Sequence, residues 1–163
     1  MTADNLFEGP GPGAPKWGFT PELRHFEPVE FNGWANRMSP RLAYTLDLWR
    51  ERCGFPIEVS PHPRAIGRTN GNENSRHYAV GRAPDAIDVF PRGDIEIAVK
   101  TAVQLFGGVG LYVNWTDAAG RKTPGMHVDT RPRINDKPAS WGQIDGKTVS
   151  LVRAMVALGL PTV

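Results

Sequence analysis

"NSRHYAVGRAPDAIDVFP", residues 74–91, sets two aspartates in and beside an apolar run. The part from Ala86 to Pro91 has the Ala, Ile, Val and Phe content of a buried strand, yet Asp88 stands in its middle. A carboxylate is rarely buried unless it is paired or binds a metal ion. Asp85 sits differently, after Pro84, and reads as a turn acid. His77 precedes Asp88 by eleven residues and is the nearest partner with metal chemistry.

Upstream of this stretch, residues 61–75 are polar and loop-like, carrying Arg64, Arg68 and "TNGNEN". A long irregular loop inside a compact domain usually has a function or is disordered. Before it, "FPIEVS" (55–60) reads as a short strand. "SPRLAYTLDLWRERCG" (39–54) reads as a helix, with Ser39 as cap, Pro40 in the first turn and Gly54 as the stop. Leu42, Leu46 and Trp49 fall on one face of it. The aromatics of "HFEPVEFNGWANR" (25–37) are placed to cover one side of the core, and residues 1–18, rich in Gly and Pro, form a flexible arm.

Downstream, "GDIEIAVKTAVQLFGG" is a second helix, with Asp94 near its start and Gly107 at its end. "VGLYVNW" and "MHVDTR" are strands of a hairpin around "TDAAGRKTPG". "TVSLVRAMVALGLP" is a last helix, stopped by Gly159 and Pro161. This order predicts one α+β domain over residues 19–163, with a small antiparallel sheet flanked by helices.

Bulk properties exclude several classes. The chain has 163 residues, 40% hydrophobic and 22% charged, as in ordinary globular domains. A net charge of +2 is too balanced to argue for nucleic acid. No apolar run reaches the roughly 20 residues of a membrane span. The N-terminal stretch has neither the basic nor the apolar region of a signal peptide, so the expectation is synthesis in the cytoplasm without an export signal. The single cysteine, Cys53, excludes a disulfide framework and reads as a packing residue.

The histidines are His25, His62, His77 and His127. In "GMHVDTRP", His127 and Asp129 share a strand face. His77, Asp88 and His127 together offer two imidazoles and one carboxylate. That is a donor set used by catalytic zinc, which keeps a fourth position for water, lowers that water's pKa and polarises a carbonyl.

"SRHYAVGRAPDAIDV" resembles the Ser-x-His…Gly-x-Ala…Asp motif of the D-Ala-D-Ala carboxypeptidase and hedgehog-like zinc peptidases. "GGVGLYVNW…MHVDTR" with Trp141 resembles the Gly-x-Gly-x-Tyr…His-x-Asp…Trp ending of the peptidoglycan endopeptidase branch. The helix–strand start at 39–61 is similar too, so the resemblance runs from His25 to Trp141. It implies a hedgehog/DD-peptidase-like fold, Zn²⁺ as cofactor, and hydrolysis of peptide bonds in peptidoglycan stem peptides. Phage-encoded members often lack a signal peptide. A phage lysis enzyme, or a component of the phage virion or tail acting on the cell wall, is therefore implied. Nothing in the sequence calls for an oligomer, so a monomer outside any virion is expected.

The chain departs from the family pattern twice. The usual aspartate, seven residues after the first His, is replaced by Pro84. Asp85 fits Gly-x-Ala-x-Asp literally; Asp88 is preferred as the ligand because its flanks read as a strand. Glu three residues before the last His is replaced by Pro124. Asp129 is the local substitute as base, or else a carboxylate that hydrogen-bonds a ligand histidine; His62 is a further candidate for proton transfer. The resemblance also implies a loop arginine that binds the substrate carboxylate or steadies an oxyanion, for which Arg68 is preferred over Arg64. Ser75, Tyr112 and Trp141 are placed as cleft residues. The missing Glu favours an alternative, a catalytically inactive zinc-containing wall-binding or structural module.

Overall fold

The computed structural model describes residues 22–162, so the arm at 1–18 lies outside the described residues. The elements in chain order are α1 (Pro40–Cys53), β1 (Ile57–Val59), β2 (Ala86–Pro91), α2 (Ile95–Leu105), β3 (Gly108–Thr116), β4 (Lys122–Asp129), β5 (Ala139–Ile144), β6 (Lys147–Val149) and α3 (Leu151–Ala157). Among the described residues the architecture is α+β: three α-helices and a six-stranded mixed sheet in the order β1-β2-β4-β3-β5-β6. The expected antiparallel sheet is corrected here, because β5 runs parallel to β3. No helix among the described residues is long and apolar enough to cross a membrane.

The helices form where their signals stand. Pro40 opens α1, and Gly54 closes it with φ +72°, although the Ser39 side chain makes no capping bond. Leu42, Leu46 and Trp49 are fully buried, and Trp49 Nε1 donates to the Ala98 carbonyl of α2 at 3.1 Å. Asp94 caps α2 by accepting from the Glu96 and Ile97 amides. The last helix is shorter than the sequence suggests. Lys147–Val149 pair with β5, and Ser150 caps a helix beginning only at Leu151.

Strand alternation divides the sheet into two faces. Ile87, Val89, Val109, Leu111, Met126 and Val128 are fully buried and join the helices in one core. The other face carries a crosswise row. Asp88 of β2 pairs with His127 of β4, His127 with Gly110 of β3, and Gly110 with Trp141 of β5. The next row contains Ala86, Asp129, Gly108 and Ala139. The segment between β1 and β2 folds over this second face. Its backbone is tied to β2, with Ser60 donating to the Asp88 carbonyl at 2.9 Å and the Asp88 amide donating to Ala65 at 2.8 Å. Buried Phe26, Phe31 and Trp34 pack into the same core, and a side chain at Gly67 would run into the Trp34 ring.

Candidate metal centre

Three side chains converge at the start of the crosswise row. His127 Nδ1 lies 3.1 Å from His77 Nε2 and 3.1 Å from Asp88 Oδ1, and His77 Nε2 lies 3.5 Å from the same oxygen. His77, Asp88 and His127 are a group that could hold a metal ion. Ligand atoms at ~2.0–2.1 Å around a tetrahedral centre stand roughly 3.3 Å apart, so the triangle has the dimensions such an ion needs.

The outer nitrogens of both rings are already engaged. His77 Nδ1 is 3.1 Å from the Ile66 carbonyl, which can only accept, so that nitrogen carries a proton and Nε2 is the one turned to the triangle. His127 Nε2 is 3.0 Å from Asp129 Oδ2. Asp129 is fully buried and clamped by Arg131, whose Nε and Nη2 donate at 2.7 and 2.5 Å. Outer hydrogen bonds of this kind fix tautomer and ring orientation in metal sites. The donor set and its supports therefore fit a cation.

The charges of the group are mutually held. Burial alone would raise Asp88, but hydrogen bonds from His127 and His77 outweigh it and hold the carboxyl at about 2. Burial would lower His127, yet the bonds to Asp129 and Asp88 lift it to about 9. Asp129 is held well below the usual carboxylate range, its burial outweighed by His127 and Arg131. Two carboxylates around one ring already stabilise a positive charge there. A divalent cation held by His77, Asp88 and His127 would take the place of that proton.

A cleft of about 550 Å³ opens over the triangle, lined among others by Arg68, Ser75, Tyr112, Arg131 and Trp141. Arg68 is anchored by backbone bonds to His77 and Ala79, and its buried Nε has no hydrogen-bond partner. Ser75 Oγ accepts from the His77 amide at 3.3 Å, shaping the turn that delivers His77. Trp141 Nε1 donates to the Tyr112 hydroxyl at 3.3 Å. The phenolic hydrogen is thus left to point elsewhere.

The other candidates lie apart from the triangle. Asp85 takes an ion pair from Arg76 at 3.2 Å, and its carbonyl accepts from Thr130. Arg64 is exposed and absent from the cleft lining. His62 lines an adjoining groove that also contains Asp88, and its Nδ1 accepts from the Arg64 amide at 3.1 Å. His25 is exposed and meets Asp47 through its backbone amide. Cys53 is buried, which pushes its thiol up to about 11.

Three supporting residues had no role assigned from the sequence, although Gly108 and Gly110 stand in its Gly-x-Gly-x-Tyr motif. Arg131 stands two positions after Asp129 in the same "HVDTR" run, and that spacing was the available signal. Gly108 and Gly110 are the others. A Cβ on Gly108 would lie 2.5 Å from Asp129 Oδ1, and one on Gly110 would lie 2.6 Å from Trp141 Cε2. Each glycine makes room for one side chain of the site. Comparison with protein-family models, curated proteins and solved structures found no match.

Proposed function

We propose that this chain is a zinc-dependent peptidase of the D-Ala-D-Ala carboxypeptidase and hedgehog-like type, acting on the stem peptides of peptidoglycan. The observation that carries the reading is the triangle of His77 Nε2, His127 Nδ1 and Asp88 Oδ1, with the outer nitrogens of both rings engaged and its open side towards the cleft. Zinc bound there would supply Lewis acidity, polarising a substrate carbonyl and acidifying a water.

The chain's own residues would do the rest. Asp129 and Arg131 hold the His127 ring, and the Ile66 carbonyl holds His77. Arg68, which lines the cleft, would bind a substrate carboxylate or the developing oxyanion through its guanidinium. Tyr112 has a hydroxyl hydrogen to donate, and Trp141 forms a wall beside His127, their ring centroids 5.1 Å apart. Asp129 orients; its full burial and its ion pair with Arg131 argue against a role as base. A phage lysis or virion-associated role follows from the same resemblance.

One observation favours a second reading, a zinc-containing wall-binding module without hydrolytic activity. No glutamate lines the cleft or the adjoining groove among the described residues. His62 Nδ1 is already taken up by the Arg64 amide. Metal analysis and digestion of purified peptidoglycan decide between them. The peptidase reading expects about one zinc per chain, lost in His77→Ala and His127→Ala, and new peptide fragments by mass. Zinc-loaded protein that leaves the muropeptides intact supports the binding module. Protein purified without chelator and free of zinc overturns both.

A further inference from the structure

We infer that the groove beside Asp88 is a second substrate lobe, which takes small uncharged peptide residues and makes the enzyme cut internal bonds. The inference rests on the peptidase reading and deepens it. The groove has a volume of about 310 Å³ and is lined by Ser60, His62, Asp88, Phe90, Trp115 and Thr116. It meets the arginine-bearing cleft at Asp88, which lines both. A substrate carbonyl at the triangle therefore has open space on two sides.

The two lobes differ in chemistry. The first is lined by Arg68, Arg76 and Arg131, the last two already paired with Asp85 and Asp129, and suits carboxylate-bearing residues. The second has an aromatic floor one row along the sheet from Asp88. Trp115 stacks on Tyr112 at 3.9 Å and 17°, and Phe90 meets Trp115 edge-on at 6.0 Å. Gly125 permits this, since a side chain there would overlap the Trp115 ring. Ser60 and Thr116 add hydroxyls, and no carboxylate other than Asp88 lines the groove. An apolar floor with a few hydrogen-bonding groups suits planar peptide units with small side chains. The occupant is the uncharged end of a peptide whose acidic residues fill the first lobe. A chain held on both sides of the reacting carbonyl is cut internally.

The probe is a set of muropeptides released from purified peptidoglycan by a muramidase. Calorimetry on chelator-treated full-length protein reads binding, and mass analysis with zinc-loaded protein reads cleavage. Thr116→Arg, at the exposed rim, and Trp115→Ala are expected to weaken binding about tenfold or more while zinc stoichiometry stays that of the wild type. The wild type is expected to yield fragments longer than one residue on both sides of the cut. Wild-type affinity in Thr116→Arg overturns the second lobe, and release of single terminal residues alone overturns internal cleavage. If the wild type cuts nothing, the peptidase reading fails. The lobe is then judged by binding: weakened binding in both variants upholds it, and wild-type affinity rejects it.

Discussion

A single methyl group at position 108 should disable the candidate metal centre without touching any of its three donor residues. In Gly108→Ala the new Cβ would stand 2.5 Å from both Cγ and Oδ1 of Asp129, and closer still to Oδ2. The carboxylate must retreat by about 1 Å to regain ordinary contact. It is fully buried and gripped by Arg131, so retreat means breaking its 3.0 Å bond to His127. Overpacking of this kind costs about 1–3 kcal/mol of stability in the metal-free protein. Loss of a carboxylate that orients a ligand histidine lowers metal affinity by about 10–100-fold. At saturating zinc that removes a further ~1.4–2.7 kcal/mol of metal-dependent stabilisation. Zinc affinity is measured by competition with a chromophoric chelator, and stability by denaturant unfolding with and without EDTA. The two effects should be coupled through Asp129: in an Asp129→Ala background, Gly108→Ala should cost little additional affinity. Zinc binding within twofold of the wild type by Gly108→Ala would refute the claim that Asp129 orients His127.

Asp88→Asn should weaken zinc binding strongly, whereas Asp85→Asn should leave it unchanged and lose only a half-exposed ion pair with Arg76, about 0–1 kcal/mol by unfolding. Arg131→Gln should raise the zinc dissociation constant by about tenfold, read by the same chelator competition, because Asp129 loses its clamp. Gly110→Ala should displace Trp141 from its place beside His127, seen as a changed tryptophan emission spectrum with zinc stoichiometry unaltered. Asp117 accepts from the Arg121 backbone and side chain, the Ala119 amide and Arg92, and is held down at about 2. A depressed carboxylate stabilises the fold above its unfolded value near ~3.9 and loses that contribution as pH falls towards 2. The stability gap between wild type and Asp117→Asn should therefore be constant above about pH 5 and close towards pH 2, followed by urea unfolding across that range.

Helices and central strands were legible because each carries a local signal. Apolar spacing marks α1, Asp94 marks the start of α2, and alternation marks β2 and β4. Asp88 in its strand was legible for the same reason: the register that pairs it with His127 follows from two strands of ordinary pattern. The mixed sheet was not legible. In β5 only Gly142 is buried, so the strand lacks an apolar alternation, and its parallel pairing with β3 is fixed by contacts distant in sequence. β6 did have a signal. Asp145 and Gly146 both have positive φ, and an Asp-Gly pair between short runs is a hairpin turn. Reading "TVS" as a helix start concealed it. The supports of the site were harder still. Nothing local shows that Gly108 clears Asp129, since the two meet only when β3 lies beside β4.

The row of Asp88, His127, Gly110 and Trp141 draws one position from each of four strands. Because side chains alternate, a slip of one residue in any strand sends its member to the helix side of the sheet. The meeting of Asp88 and His127 is thus a property of the β2–β4 register, and His77 joins them from the segment before β2. Pairings between distant segments, the parallel one among them, form slowly and late. A metal that needs His77, Asp88 and His127 together would not hurry the chain towards that register. It can hold the chain there: zinc should lengthen the lifetime of the native state and leave the refolding rate as it was.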